Sequence, residues 1–355
     1  MKFPSGRSTG IRIFVVVAFL SACGGVSDSD STSGHVDGSN QRVELRLGYF
    51  PNLTHAPAIA AIETGLLKKQ LGDGVSLKAT TFPAGPAAVE ALFSRAIDAT
   101  FIGPGPATNA FVRSKGKEIR IVSGVTSGGA FLVVKPSIDS PDDLKGKKIA
   151  SPQLGNTQDI ALRTWLKSKK LKTTIQGGGD VSVLPQDNAQ SLETFRDGSI
   201  DGAWVPEPWA TRLIVEGGGK VLVDERDLWP NRMFATTLLI VRTEFLRKNP
   251  KAVISLVEAN LQAIEQLKTD DPAKSQKLIN KGIGKVSKPL PARVISESWI
   301  NLEFTADPVA SSISEMAKDA EGLKLLPSSN IDGIFDLRLL NKALRRAGKP
   351  EIKQS

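Results

Sequence analysis

Five short stretches of the chain carry residue types from which a small binding site can be built. They are Pro51-Asn52-Leu53-Thr54-His55, Pro83 to Pro86, Gly103 to Thr108, Gln153 to Gln158 and Pro206 to Trp209. Each mixes Gly or Pro with small or polar residues, follows a strand-like run and precedes a helical one. Such loops sit at the carboxyl ends of strands in open α/β sheets, where unpaired N–H groups at helix starts face outward. None of the five holds Lys or Arg, and the chain contains neither GxxxxGK[ST] nor GxGxxG. A nucleotide or phosphate site normally carries those features. An anion held here would be neutralised by N–H dipoles and hydroxyls, which suits a small desolvated oxyanion. Phe101, Trp204 and Trp209 offer apolar walls, and Asn156 or Thr157 is a plausible helix N-cap. Glu207 is the discordant residue: its carboxylate repels an anion unless Arg163 or Arg212 pairs with it or the ligand brings an ammonium.

Catalysis finds little support in the same residues. The chain has two histidines, His35 and His55, and one cysteine, so no disulfide framework, Cys-based zinc site or iron–sulfur site can form within it. His55 lacks a nucleophile elbow and a second imidazole in the folded part, which favours a hydrogen-bonding role over acid–base work. No metal site and no cofactor are expected. The net charge of +9 is spread over the chain apart from short runs at Lys167 to Lys170 and Arg345-Arg346. Without interleaved aromatics this reads as a solvated basic surface, and nucleic acid is not an expected partner.

The elements that position the loops repeat. Val43 to Tyr49 alternates apolar and polar residues at strand period, Ala58 to Lys69 reads as a helix, Val75 to Phe82 as a strand, Ala87 to Arg95 as a helix, and Phe101-Ile102 ends a further strand. A second series runs from a strand at Lys148 to Ala150 through a helix ending near Lys170, a strand at Val181 to Leu184 and a helix at Ala189 to Arg196, to a strand at Ala203 to Val205. Ile97 to Pro106 (IDATFIGPGP) is echoed by Ile200 to Pro208 (IDGAWVPEP). This order implies parallel pairing with right-handed crossovers in two similar α/β lobes. With 355 residues, two lobes of ordinary size fit the length. Lobe one is placed at 42–128 plus 236–345 and lobe two at 129–235, with crossing strands at Ser127 to Gly129 and Arg232 to Thr236 as the hinge. From Thr243 onward the pattern is almost wholly helical, including RVISESWINLEF.

Lys2, Arg7 and Arg12 precede an apolar run, Ile13 to Leu20, whose eight residues are too short for a membrane span of about 30 Å. Residues 1–22 therefore read as a secretory signal peptide. Leu20-Ser21-Ala22-Cys23-Gly24 resembles the bacterial lipobox, in which the cysteine is lipidated and becomes the N-terminus. The following stretch, Gly24 to Asn40, is Ser, Asp and Gly with almost nothing apolar, so residues 23–41 read as a lipidated flexible tether.

Four segments, LRLGYFPNLTHAPAIAA, FPAGPAAVEALFSRAIDATFIGPGPA, GKKIASPQLGNTQDIALRTWL and IDGAWVPEPWA, run in family order over about 42–242. On them the chain resembles the ABC-transporter substrate-binding proteins of the aliphatic sulfonate, nitrate and taurine type. The resemblance implies a type II periplasmic-binding-protein fold of two lobes closing over a solute, a partner permease and its ATPase, and an extracytoplasmic, lipid-anchored monomer without enzymatic activity. It carries ligand contact onto Asn52, Thr54, His55, Gly85, Gly103, Gly105, Gly155, Asn156, Thr157, Trp204 and Glu207. A sulfonate is the first choice of ligand. A thiamine-precursor pyrimidine or similar heteroaromatic amine is the alternative, ahead of nitrate or bicarbonate, with a secreted lipoprotein hydrolase as the remote one.

Overall fold

The computed structural model describes residues 43–353. Cys23 and the stretches expected to be a signal peptide and a tether lie outside the described residues. Among the described residues, eleven strands form two sheets. In chain order they are β1 (Val43–Tyr49), β2 (Val75–Thr81), β3 (Ala99–Ile102), β4 (Ile119–Gly128), β5 (Ala130–Val134), β6 (Lys148–Ser151), β7 (Ser182–Pro185), β8 (Gly202–Pro206), β9 (Lys220–Asp224), β10 (Ala235–Arg242) and β11 (Leu302–Phe304). The sheet of lobe one runs β11-β4-β10-β3-β1-β2 and that of lobe two β7-β6-β8-β5-β9. β1 pairs in parallel with β2 and β3, as β6 does with β7 and β8. Next to β3 and next to β8 each sheet continues with an antiparallel strand, β10 against β3 and β5 against β8. Each of those strands has just entered from the other lobe.

Both sheets are covered on both faces, which is why their central strands are apolar almost throughout. Leu239 and Val241 of β10 pack into one core of lobe one and Leu238 and Ile240 into the other. In lobe two Leu132 and Val134 face one layer, Phe131 and Val133 the opposite one.

The two crossings between the sheets differ. The first is direct: β4 ends at Gly128 and β5 begins at Ala130, with Gly128 at φ +76° and Gly129 at φ +70°. This left-handed pair suits glycine, since a side chain there is strained, and it turns the chain sharply enough to leave one sheet for the other. The second crossing is longer than the Arg232 to Thr236 expected from sequence. It runs from Asp224 to Ala235 through two short 3₁₀ turns, Glu225–Leu228 and Pro230–Arg232.

Two other expectations need correction. Ala58 to Lys69 is two helices, Ala56–Glu63 and Leu66–Leu71, parted at Thr64-Gly65. RVISESWINLEF is helical only through Trp299. Its end is β11, whose Leu302 to Phe304 pair antiparallel with Gly128 to Thr126. Strand pairing with the exposed edge of β4 satisfies backbone groups that helix continuation would have left beside that edge.

Candidate ligand-binding site

The helices that follow the strand ends start around one cleft. Its lining includes Phe50, Asn52, Thr54 and His55 after β1, Ala84 before the helix Gly85–Phe93, and Gly103 before the helix Pro104–Arg113. From lobe two come Asn156, Thr157 and Gln158 at the start of the helix Thr157–Ser168, Asn188 at the start of Asn188–Arg196, and Pro206 at the end of β8. Thr236 of the crossing strand completes it. The lining has no Lys, Arg, Asp or Glu. Its polarity comes from amides, hydroxyls, one imidazole and helix N–H groups, a set that stabilises an anion without a counter-charge.

The lobes meet across this space. The Thr157 hydroxyl accepts the Gly105 N–H at 3.2 Å, and the Trp209 indole N–H donates to Asn52 Oδ1 at 2.9 Å. A Cβ on Gly103 would lie 2.4 Å from Thr157 Oγ1, and one on Gly105 would lie 3.0 Å from the Thr157 nitrogen. Both glycines therefore serve close approach of the lobes. The remaining cavity is about 20 Å³, room for one or two water molecules. A three-oxygen anion head is larger, so taking one in requires the Thr157–Gly105 contact to loosen.

His55 is buried against Phe50, with ring centroids 4.4 Å apart. Its Nδ1 accepts the Phe50 N–H at 3.3 Å, and burial pushes its pKa down to about 3. The imidazole is thus neutral at working pH, and the bond at Nδ1 places the proton on Nε2, leaving a donor. Asn156 is the helix N-cap, its Oδ1 accepting the Gln158 N–H at 3.2 Å. Asp159, one turn further on, is turned away: it accepts from Ser151, Gly155 and Arg163 and keeps its charge out of the cleft.

Of the residues named from sequence, Asn52, Thr54, His55, Gly103, Asn156 and Thr157 line this cavity, and Gly105 touches it through Thr157. Four others lie elsewhere. Trp204 is fully buried in lobe two, meeting Trp165 edge-on at 6.0 Å and donating to Glu225 at 2.7 Å. Period two along β8 sends its side chain to the layer opposite Ala203 and Val205. Glu207 pairs with neither arginine. It accepts from Thr211 N and Oγ1 at 3.1 and 2.8 Å and from Asn301 at 2.8 Å, and burial pushes its pKa up. Arg163 goes to Asp159 and Arg212 to Glu216. Gly155 gives its N–H to Asp159 at 3.0 Å. Gly85 packs on Pro106, where a Cβ would come within 2.2 Å.

Sequence reasoning missed Phe50, Asn188 and Thr236, and named Gln158 only as the end of a candidate loop. Asn188 is the sharpest omission, because its Oδ1 is buried without a partner. The signal was present: Leu184-Pro185-Gln186-Asp187-Asn188 is a sixth strand-to-helix loop of the same composition as the five. Thr236 lies on a crossing strand, where no loop chemistry marks it.

The NMT1-like family matches residues 38–281. The taurine-binding periplasmic protein of Escherichia coli (strain K12) is 28% identical over 223 residues, 63% of this chain and 66% of that one. The nitrate/nitrite binding protein NrtA of Synechococcus elongatus is 26% identical over 294 residues, 73% of this chain and 65% of that one. In structure, the alkanesulfonate-binding protein SsuA of Xanthomonas axonopodis pv. citri bound to MOPS aligns with a TM-score of 0.67 at 22% identity, covering 81% of this chain and 95% of that one.

Proposed function

This chain is a member of the NMT1-like family, and we propose on that premise that it is the extracytoplasmic solute receptor of an ABC importer, taking a small sulfonate-type organic anion. The observation that carries the ligand class is the cavity where helix starts from both lobes meet with uncharged donors alone. The relatives named for taurine and for alkanesulfonate support the same class. Asn52, Thr54, His55, Asn156, Thr157 and Asn188 hold the anion head, with Gly103 and Gly105 admitting it close to backbone. Lobe two swings about Gly128-Gly129 and the 225–234 segment, and binding favours the closed arrangement through its differential affinity for it.

The receptor works without catalysis. A neutral His55 with a pKa near 3 is a poor base at neutral pH, and Glu207 is occupied by three donors. Those donors also weigh against a pyrimidine amine in the cleft, because they hold Glu207 away from it and no carboxylate is in its lining. The partners are a permease with its ATPase, and a lipid on Cys23 holds the monomer at a membrane surface. Calorimetric titration with ethanesulfonate, taurine, nitrate and 4-aminopyrimidine tests the ligand. Ethanesulfonate or taurine is expected to bind in the micromolar range or tighter, and preference for the aminopyrimidine sinks the assignment. NMR of bound ethanesulfonate is expected to show no product over hours. Cys23→Ala is expected to release the protein from membranes.

A further inference from the structure

A second and much larger space, about 540 Å³, lies between the two lobes along the helix Thr157–Ser168, lined by residues other than those of the cleft. Its walls come from that helix, from the 225–233 stretch of the second crossing, and from the helix Ala310–Gly322. The lining has no Lys or Arg but includes three carboxylates, Glu225, Glu315 and Asp319. Trp165, Trp229 and Met233 supply broad apolar surface. Both indoles are held in place, Trp229 stacked on Phe234 at 5.9 Å and Trp165 against Trp204 at 6.0 Å.

Glu225 is fully buried, and its two oxygens differ. Oε2 accepts the Trp204 indole N–H at 2.7 Å, whereas Oε1 has no hydrogen-bond partner. Thr164 Oγ1, on the same walls, is also buried without one, and the Trp229 indole N–H faces the Glu225 carboxylate without reaching hydrogen-bond geometry. A buried carboxylate oxygen left without a donor is costly, and a donor that brings positive charge repays it best. Indole faces near carboxylates are good surroundings for an organic cation. The lysines around the space are already engaged with its rim: Lys169 lies over the Trp165 ring at 5.8 Å, Lys318 pairs with Glu315 at 3.1 Å, and Lys167 acts on Asp319 with Lys318.

We propose that this space is a second ligand site for a small organic cation, a protonated amine on a flat apolar body. The ammonium donates to Glu225 Oε1 within the field of Asp319 and Glu315, and the apolar body lies against Trp229 and Met233. Burial pushes the pKa of Glu225 up to about 7 and that of Asp319 to about 6, so both take protons as pH falls below 7. Amine affinity therefore falls between pH 8 and pH 5.5, while the amine itself stays charged.

The test is calorimetric titration of the full chain with tryptamine and with tryptophol, its uncharged analogue. Tryptamine is expected to bind at least tenfold tighter than tryptophol at pH 8, and to weaken at least fivefold at pH 5.5. Glu225→Gln keeps an acceptor for Trp204, and Asp319→Asn alters a half-buried rim. Each is expected to weaken tryptamine at least fivefold with the fold intact by circular dichroism. Excess ethanesulfonate is expected to leave tryptamine bound. No binding of tryptamine, equal affinity for tryptophol, unchanged affinity in both variants, or displacement by ethanesulfonate overturns the proposal.

Discussion

The two lobes share a strand plan and part company where β3 and β8 hand over to helices. In sheet order, β2-β1-β3-β10-β4 corresponds to β7-β6-β8-β5-β9. Asp98 before β3 exchanges backbone contacts with Arg46 of β1: its carboxylate accepts the Arg46 N–H at 3.1 Å and its own N–H goes to the Arg46 carbonyl at 2.7 Å. Asp201 before β8 does the same with Lys148 of β6, at 2.8 Å in both directions. Beyond the strands the echo diverges. Gly103-Pro104-Gly105-Pro106 brings a backbone N–H to Thr157 of the other lobe, whereas Glu207 folds its carboxylate back onto Thr211 and Asn301. Strand ends obey pairing and are conserved between the lobes, while the loop sequence decides which donors stay available to a ligand.

The surroundings of the two aspartates also differ. Asp98 is buried; burial opposes its charge, but the Arg46 and Arg242 guanidiniums hold its pKa below the ordinary carboxylate range. A lowered native pKa stabilises the fold above the unfolded pKa and is lost as pH falls through the native value. Asp201 keeps 30% of its side chain exposed, with Lys147 at 3.9 Å. The largest expected effect is therefore Asp98→Ala, which leaves buried Arg242 with only the longer contact to Glu244 and costs about 3 kcal/mol or more. Asp201→Ala costs less than about 1 kcal/mol. Urea unfolding of both variants compares them, and equal losses would erase the distinction between the lobes.

Gly105→Val tests the loop difference next. Its branched side chain meets the Thr157 backbone and keeps the lobes apart. Ethanesulfonate affinity is expected to fall about a hundredfold, near 3 kcal/mol. Small-angle scattering would show no ligand-dependent compaction; retained compaction would move the contact elsewhere. Thr157→Val removes a hydroxyl donor from the cleft lining and is expected to weaken binding about tenfold, within the roughly 1.5–3 kcal/mol of a hydrogen bond to a charged group. Its melting temperature should hardly change, because Asn156 is the cap; Asn156→Ala should show the opposite, losing about 0.5–2 kcal/mol of stability. The last comparison concerns Glu225, which has no arginine to match its burial. A raised native pKa means that stability present below pH 4.5 is lost as pH rises to about 7. Glu225→Gln should then be more stable than wild type by about 3 kcal/mol at pH 8 and nearly equal to it near pH 4.5. Thermal melts at both values decide, and a pH-independent difference would refute the cause.

Much of the architecture was readable because it is local. Leu45, Leu47 and Tyr49 alternate with polar residues and are buried on one face of β1, and the helix starts follow loops whose composition marks them. The cleft side chains Asn52, Thr54, His55, Asn156 and Thr157 were accessible for the same reason, since each stands on such a loop. Trp204 and Glu207 were misjudged because their surroundings are assembled from afar. Glu225 and Trp165 claim the first, and Asn301 claims the second from the stretch that leads into β11.

Composition and spacing pointed to two α/β lobes and to five strand-to-helix loops without Lys or Arg. Those properties depend on residues a few positions apart. Tertiary structure alone decided which backbone donors meet across the cleft, which carboxylates turn away from it, and that a second, acidic and aromatic space opens along Thr157–Ser168. Gly105 and Thr157 are 52 residues apart and Asn52 and Trp209 157 apart. No local preference encodes such a contact; it forms only when the two sheets are brought together by the crossings at Gly128-Gly129 and 225–234.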